Sequence, residues 1–363
     1  MKVLVTRTDR LGDLVLALPV LDFLRTVKPE WRLQMLVAPG LEAVAAGHPA
    51  VDEVHAWSAD MKPGLRRQLA EELGTRGFEA VLMLQYRREL ALFLRRVRAG
   101  RIWGPYSKPS SWFLLHGGVR QGRSRSGRHE MDLNLELAAA MAGLSVEQRQ
   151  RALADVRRPR VHPGADQESW AAGWRAKEAP GASRVVFIHP GSGGSALDWG
   201  PERYAEVANK LARLPGARVF VTGSAADARM IRDVKLHLDE RVRVLLERFT
   251  LARFMAVLGT GDVLVAPSTG PLHLAAAVGT PTVGLFPPAP VMNPVRWGQR
   301  GPHAVHLTPE VSCPAKRRCT REKCRFYNCL QDIAADEVVR RVKRILDETP
   351  ARCRTQEEAG HDG

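Results

Sequence analysis

Residues 1–24, MKVLVTRTDRLGDLVLALPVLDFL, decide the fold. Val3, Leu4 and Val5 make an apolar run of the length of one buried strand. Arg7, Arg10, Gly12 and Asp13 then carry the chain through a polar turn into a helical pattern near 14–27. Strand, glycine-bearing turn and helix open a nucleotide-type fold. Such a turn faces the carboxyl end of a parallel sheet, where ligands bind, which singles out Asp13 among the arginines as a candidate catalytic base. A carboxylate beside a helix start and arginines is expected to be a weak base unless domain closure and desolvation restore its basicity.

Outward from that stretch the alternation continues. Leu33–Val37 and Ala80–Leu84 read as strands, with helices near 64–75 and 130–142, so βαβ units and a parallel sheet are expected. Residues 95–128, rich in Arg, Gly and Ser, read as a mobile basic surface loop. Residues 145–183 lose periodicity and gain Arg, Pro and Gly, as an interdomain connection does. A second series follows, with strands at Val185–His189, Arg218–Val221, Val242–Leu245, Asp262–Ala266 and Thr282–Phe286, and helices near 201–213, 225–237, 250–258 and 271–278. Two Rossmann-like halves facing a ligand cleft are implied. The expected divisions are a domain at 1–160, a linker at 161–183, a domain at 184–330, a helix at 331–349 packing back toward the first domain, and a flexible tail at 350–363.

With 54 Lys plus Arg against 39 Asp plus Glu, the chain of 363 residues carries a formal charge of +15. That balance favours an acidic partner: nucleic acid, an anionic membrane face or a phosphorylated substrate. Prolines interrupt the long uncharged stretch 271–295, so no spanning helix is expected, and the start lacks the pattern of a secretory signal. Cytoplasm is the expected compartment.

The second half repeats a strand, a small-residue turn and a helix three times. The turns are His189-Pro-Gly-Ser-Gly-Gly-Ser195, Thr222-Gly-Ser-Ala-Ala-Asp227 and Ser268-Thr-Gly-Pro-Leu-His273. Their backbone N–H groups and helix starts suit a diphosphate. Pro271 falls in the first helical turn, and Ser268 and Thr269 fall at the cap.

These residues bring a family into view. The chain resembles the lipopolysaccharide heptosyltransferases of glycosyltransferase family 9, through Arg7-x-Asp-Arg-Leu-Gly-Asp13 with Pro19, through 189–195 with Trp199-Gly-Pro201, and through Ser268–His273 with Gly279-Thr-Pro281. The resemblance implies a GT-B architecture and an inverting, metal-independent transfer from an ADP-sugar co-substrate, with no bound cofactor. By the same likeness Asp13 deprotonates the acceptor hydroxyl. Gly12, Ser192, Gly193, Ser195, Gly223, Ser268, Thr269, Gly270 and His273 would contact the donor, Asp227 its ribose and Phe249 its adenine. The chemistry is sensible in itself: one carboxylate can take the hydroxyl proton, and helix starts can hold the departing ADP.

Arg7, Arg10, Arg120, Arg123, Arg125 and Arg128 are expected to meet a phosphorylated or acidic glycolipid acceptor at the anionic inner face of the cytoplasmic membrane. Nucleic acid is not expected, because the basic stretches lack interleaved stacking aromatics. Leu197 stands where relatives often carry a lysine, Ser268 where they often carry an aspartate, and Pro287-Pro-Ala-Pro290 replaces a glycine-containing turn. These departures keep open a same-fold transferase with another nucleotide sugar. A non-catalytic basic nucleotide- or nucleic-acid-binding protein is the remaining alternative.

Cys313, Cys319, Cys324 and Cys329 are separated by five, four and four residues, without the C-x-x-C of a zinc knuckle. Reduced structural thiols are the leading reading and zinc the alternative.

Overall fold

A computed structural model of the protein describes residues 1–123, 127–156, 158–193, 196–301, 303–315 and 319–351. The chain divides into two compact units, Met1–His162 and the residues from Pro163 onward.

The first unit is built on β1 (Lys2–Arg7), β2 (Arg32–Val37), β3 (Glu53–Ala56), β4 (Ala80–Met83), β5 (Arg101–Pro105) and β6 (Gly117–Val119). They form one parallel sheet in the order β3-β2-β1-β4-β5-β6. Val3, Leu4 and Val5 are fully buried, which is why β1 reads as an unbroken apolar run: a sheet covered on both faces needs no polar alternation. One face packs a cluster that includes Leu4, Trp57, Val81, Met83, Phe93 and Ile102. Helices Pro19–Val27 and Glu130–Met141 pack on each other in the same unit.

The second unit holds β7 (Arg184–Ile188), β8 (Ala217–Gly223), β9 (Val242–Leu246), β10 (Val263–Pro267), β11 (Thr282–Leu285) and β12 (Ala304–Leu307). Their order, β12-β11-β10-β7-β8-β9, repeats that of the first sheet, and every pairing is parallel. In each sheet the first strand lies between the second and the fourth, so the connections leave it in opposite directions. A crevice forms at such a reversal, outside the carboxyl ends of β1 and β4 in one unit and of β7 and β10 in the other.

Two expectations need correction. The basic stretch 95–128 is not simply a surface loop, since it contributes β5, helix Pro109–Leu114 and β6. Its arginines and glycines concealed an inner strand, β5, whose apolar content is carried by Ile102 and Trp103, and the short edge strand β6. The supposed linker 161–183 contains helix Ala165–Glu178, which packs on helix Leu251–Gly259. Arg175 of that helix reaches the Thr260 carbonyl and pairs with buried Asp262, which also accepts from the Val185 N–H at 2.7 Å.

The last helix, Ala335–Glu348, places Val338, Val339, Val342, Ile345 and Leu346 in the core of the second unit. Arg184 secures it by donating to the Leu346 and Thr349 carbonyls.

Candidate active site

The carboxyl end of β1 delivers Arg7 into the interior of the first unit, where its side chain is 1% exposed. Three carboxylates surround it. Arg7 Nε donates to Asp9 at 2.8 Å, Nη2 to Asp13 at 2.6 Å and Nη1 to Glu130 at 3.2 Å. Asn134, one turn beyond Glu130, accepts from Nη1 at 3.3 Å and donates to the Leu16 carbonyl at 3.3 Å. Arg123 closes the cluster by donating to Glu130, to Asn134 and to the Gln121 side chain.

This arrangement reverses the expectation that Asp13 is a weak base. Burial pushes its carboxyl up, Asp9 and Glu130 push the same way against Arg7, and it settles at about 6. Burial pulls Arg7 down, but the three carboxylates more than offset it and keep the guanidinium charged. Asp13 also has the most open of the three carboxylates, at 17% side-chain exposure against 5% for Asp9 and 2% for Glu130.

Arg7 is thus an internal strut rather than an acceptor contact. Arg123 is largely buried in the same cluster, and Arg128 pairs with Glu136 at 3.1 Å. Arg10 and Arg120 are exposed, and Arg125 lies outside the described residues. Gly12 is half-buried within helix Leu11–Val15. Asp9, Glu130 and Asn134 escaped sequence reasoning. A signal was present: Glu130 and Asn134 fall one turn apart on one face of a helix whose neighbouring residues are Met131, Leu133, Leu135 and Leu137.

In the second unit the loops after β7, β8 and β10 contribute. His189 is buried, its Nδ1 lies 2.9 Å from Thr222 Oγ1, and its Nε2 lies 3.8 Å from Asp227. Burial pulls its pKa down to about 4 against the raising effect of Asp227, so it is neutral at pH 7. Asp227 was expected at a ribose. Its carboxylate instead accepts from Ser224 N–H at 3.0 Å, Ser224 Oγ at 2.6 Å and Gly193 N–H at 3.4 Å. These bonds outweigh desolvation and hold it below the usual carboxylate range. Gly191 passes so close to that carboxylate that a Cβ there would occupy its space. At Gly223 a Cβ would stand 2.7 Å from Ile231 Cγ1.

Phe249 was expected against adenine. It meets Trp174 edge-on at 5.6 Å and Trp170 at 6.0 Å, two residues of the helix mistaken for linker.

The turn after β10 keeps its expected form. Ser268 is half-buried and donates its N–H to the Leu285 carbonyl at 3.1 Å, and His273 is buried in helix Gly270–Ala277, whose first residue Gly270 is half-buried. Thr269 caps that helix with no side-chain bond to it. Its hydroxyl is buried and, among the described residues, has no hydrogen-bond partner. A buried hydroxyl without a partner costs about 1–3 kcal/mol, and at a helix start it faces the positive end of the dipole, where an anion would pair with it. Ser192 is half-buried beside Gly193, and Ser195 lies outside the described residues.

Comparison with known proteins bears on the family and the fold. The family described as "Glycosyltransferase family 9 (heptosyltransferase)" matches residues 66–326. Lipopolysaccharide heptosyltransferase 1 of Pseudomonas aeruginosa is 25% identical over 342 residues, covering 92% of this chain and 90% of its own. Among solved structures, a family 9 glycosyl transferase of Veillonella parvula superposes with a TM-score of 0.82 at 20% identity, covering 96% of this chain and 98% of that one. The E. coli ADP-heptose lps heptosyltransferase II gives 0.77 at 18% identity, covering 95% and 98%. E. coli heptosyltransferase WaaC with ADP-2-deoxy-2-fluoro heptose gives 0.65 at 18% identity, covering 95% and 99%. The two six-stranded parallel sheets are those of the GT-B fold. The chain belongs to glycosyltransferase family 9, the heptosyltransferases.

Proposed function

We propose that the protein transfers a heptose from ADP-heptose to a lipopolysaccharide core acceptor with inversion, Asp13 acting as general base. The observation that carries this reading is the state of Asp13, a partly open carboxylate at about 6, braced by a buried arginine. Such a group is mostly ionised at pH 7 yet still basic enough to take a proton from an attacking hydroxyl. As the acceptor oxygen bonds to the anomeric carbon, the sugar–phosphate bond breaks and ADP departs with the electron pair. The proton passes to Asp13.

The donor half is assigned to the second unit. The start of helix Gly270–Ala277, the Thr269 hydroxyl and the small-residue loops after β7 and β8 supply the dipole and N–H groups that stabilise a leaving diphosphate, with no metal in the step. Ser192, Gly270 and His273 stay as donor contacts. Asp227 shapes the loop through Gly193 and Ser224, and the similar E. coli enzymes are an ADP-heptose heptosyltransferase and one bound to ADP-2-deoxy-2-fluoro heptose, which supports ADP-heptose as the donor.

The acceptor is a phosphorylated glycolipid met at an anionic membrane surface. Supporting this, Leu92, Trp112 and Phe113 are 43%, 56% and 80% exposed on two packed helices, Arg88–Arg96 and Pro109–Leu114, among exposed Arg88, Arg96 and Lys108. Apolar aromatics ringed by basic groups suit a headgroup layer. Among the described residues no helix is long and apolar enough to cross a membrane.

The test is release of ADP from ADP-heptose in the presence of a heptose-deficient core acceptor, undiminished by EDTA, with NMR of the product anomer. Asp13→Asn should abolish turnover and retain donor binding. Turnover by that variant would reject Asp13 as the base, and retention of anomeric configuration would reject inversion. Leu197 and Ser268 favour one second reading, a different nucleotide sugar, and a panel of ADP-, GDP- and UDP-sugars decides between them.

A further inference from the structure

Between β12 and the last helix the chain runs from 308 to 334 with only two short 3-10 turns among the described residues, Arg321–Lys323 and Cys329–Asp332. Among the described residues the segment's backbone pairing is confined to local turns, such as Cys324 N–H to the Arg321 carbonyl and Cys329 N–H to the Phe326 carbonyl. Its contribution to the core is small, with Leu330 and Ile333 buried near its end. Four cysteines fall here, none of them in a disulfide.

All four line one cavity of about 20 Å³, enough for one water-sized guest. The remaining wall is mostly apolar: Leu197 from the loop after β7, Pro287, Pro288 and Ala289 from the loop after β11, and Val311.

Two local features aim the sulfurs. Phe326 N–H donates to Cys324 Sγ at 3.4 Å, a bond from the residue two further on that fixes where this sulfur points. Asn328 turns the backbone with a φ of +63°, which sets Cys329 on the cavity wall.

We propose that Cys313, Cys319, Cys324 and Cys329 bind one zinc-class cation as a four-thiolate site that staples this segment beneath the loops after β7 and β11. Four thiolates gathered around one small cavity would repel one another without a cation. A dication inverts that balance and deprotonates its ligands. Four protons go to solvent, four sulfur–metal bonds form, and no oxidation state changes. The site's net negative charge falls in a basic stretch that includes Arg321, Lys323 and Arg325.

Among the described residues no three such side chains are already drawn into a coordinating group, so binding requires the thiols to turn into the cavity they share. The site is structural in this reading, since its ligands leave no open position for substrate. It stands apart from the transferase assignment.

The test uses the full chain, purified without a polyhistidine tag or chelators. Elemental analysis should find about one zinc or iron per chain, and Cys319→Ser with Cys329→Ser should bring it below about 0.1. Zinc and iron are told apart by the element and by colour. Cobalt(II) added to demetallated protein should give the sulfur charge-transfer absorption of a four-thiolate site. If the serine variant fails to fold, a mercurial titration of the wild type decides, because metal should leave in step with the four thiols. No stoichiometric metal together with no cobalt uptake overturns the proposal, as does a folded serine variant with undiminished metal. Neither outcome bears on whether ADP-heptose is the donor.

Discussion

The guanidinium of Arg7 donates to Asp13 Oδ1 at 2.6 Å from a position with 1% solvent exposure. Its other nitrogens are held by Asp9 and Glu130, so the basicity of Asp13 is set by a cluster, and its apparent pKa belongs to the group as a whole. With Asp13 raised from 3.8 to about 6, kcat/KM should rise with pH through a limb near 6, about tenfold per unit below it. Glu130→Gln removes a charge that raises Asp13 and should move the limb to lower pH. Arg7→Lys weakens a charge-assisted pair and should move it to higher pH. Limbs that stay in place in both variants would detach the cluster from catalysis.

Thr269→Val keeps the side-chain volume and removes the buried hydroxyl that has no partner among the described residues. Donor affinity should fall about tenfold, the worth of one charge-assisted hydrogen bond, while the protein becomes no less stable and gains up to about 1 kcal/mol. Titration calorimetry with ADP beside a thermal melt measures both. A loss of stability with unchanged ADP binding would assign the hydroxyl to the fold instead.

His189 should make the second unit acid-sensitive. Its pKa is lowered from 6.5 to about 4, so its contribution is fully present above 6.5 and lost as pH falls toward 4, at most about 3 kcal/mol. Asp13, raised to about 6, has the opposite sign in the first unit: its contribution is present below 3.8 and lost as pH rises through 6. Denaturant unfolding of His189→Gln between pH 4 and 6.5 should show a flatter pH dependence than the wild type.

Gly191→Ala places a methyl group where the Asp227 carboxylate sits. Displacing that carboxylate breaks its bonds to Ser224 and Gly193, at a cost of about 1–3 kcal/mol. The donor KM should rise at least about tenfold while the pH limb assigned to Asp13 stays where it was. Steady-state kinetics at several pH values separates the two effects.

Trp112→Ser with Phe113→Ser should reduce sedimentation with anionic vesicles several-fold and leave turnover of a soluble, deacylated acceptor unchanged. Phe113 at 80% exposure has little fold to support. Equal binding by wild type and variant would remove this face from the membrane reading.

Much of this was legible in residues 1–24 and in the small-residue turns, because buried parallel strands write continuous apolar runs and their turns need small residues. Asp13, Thr269 and His273 stand at the sheet ends where the pattern put them. The basic arms were less legible. An arginine looks the same in sequence whether it stays in solvent, as Arg10 and Arg120 do, or is consumed by carboxylates from a distant helix, as Arg7 and Arg123 are. The raised basicity of Asp13 also depends on tertiary burial, which no local spacing records. Helix Ala165–Glu178 was hidden by flanking Pro and Gly, although Trp170 and Trp174 lie one turn apart on its packed face.

The repeated strand order has a consequence for the making of the protein. Each sheet places its earliest strand in the interior, so β1 keeps one edge unpaired until β4 has been made, and β7 keeps one until β10 has been made. The second core also waits for Val342 and Leu346 of the closing helix. The first unit can therefore complete on the ribosome while the second still shows an open sheet edge and an uncovered apolar face. Chaperone demand and aggregation during synthesis should concentrate in the second unit, and a ribosome stalled after β12 should leave a folded first half tethered to a sticky second one.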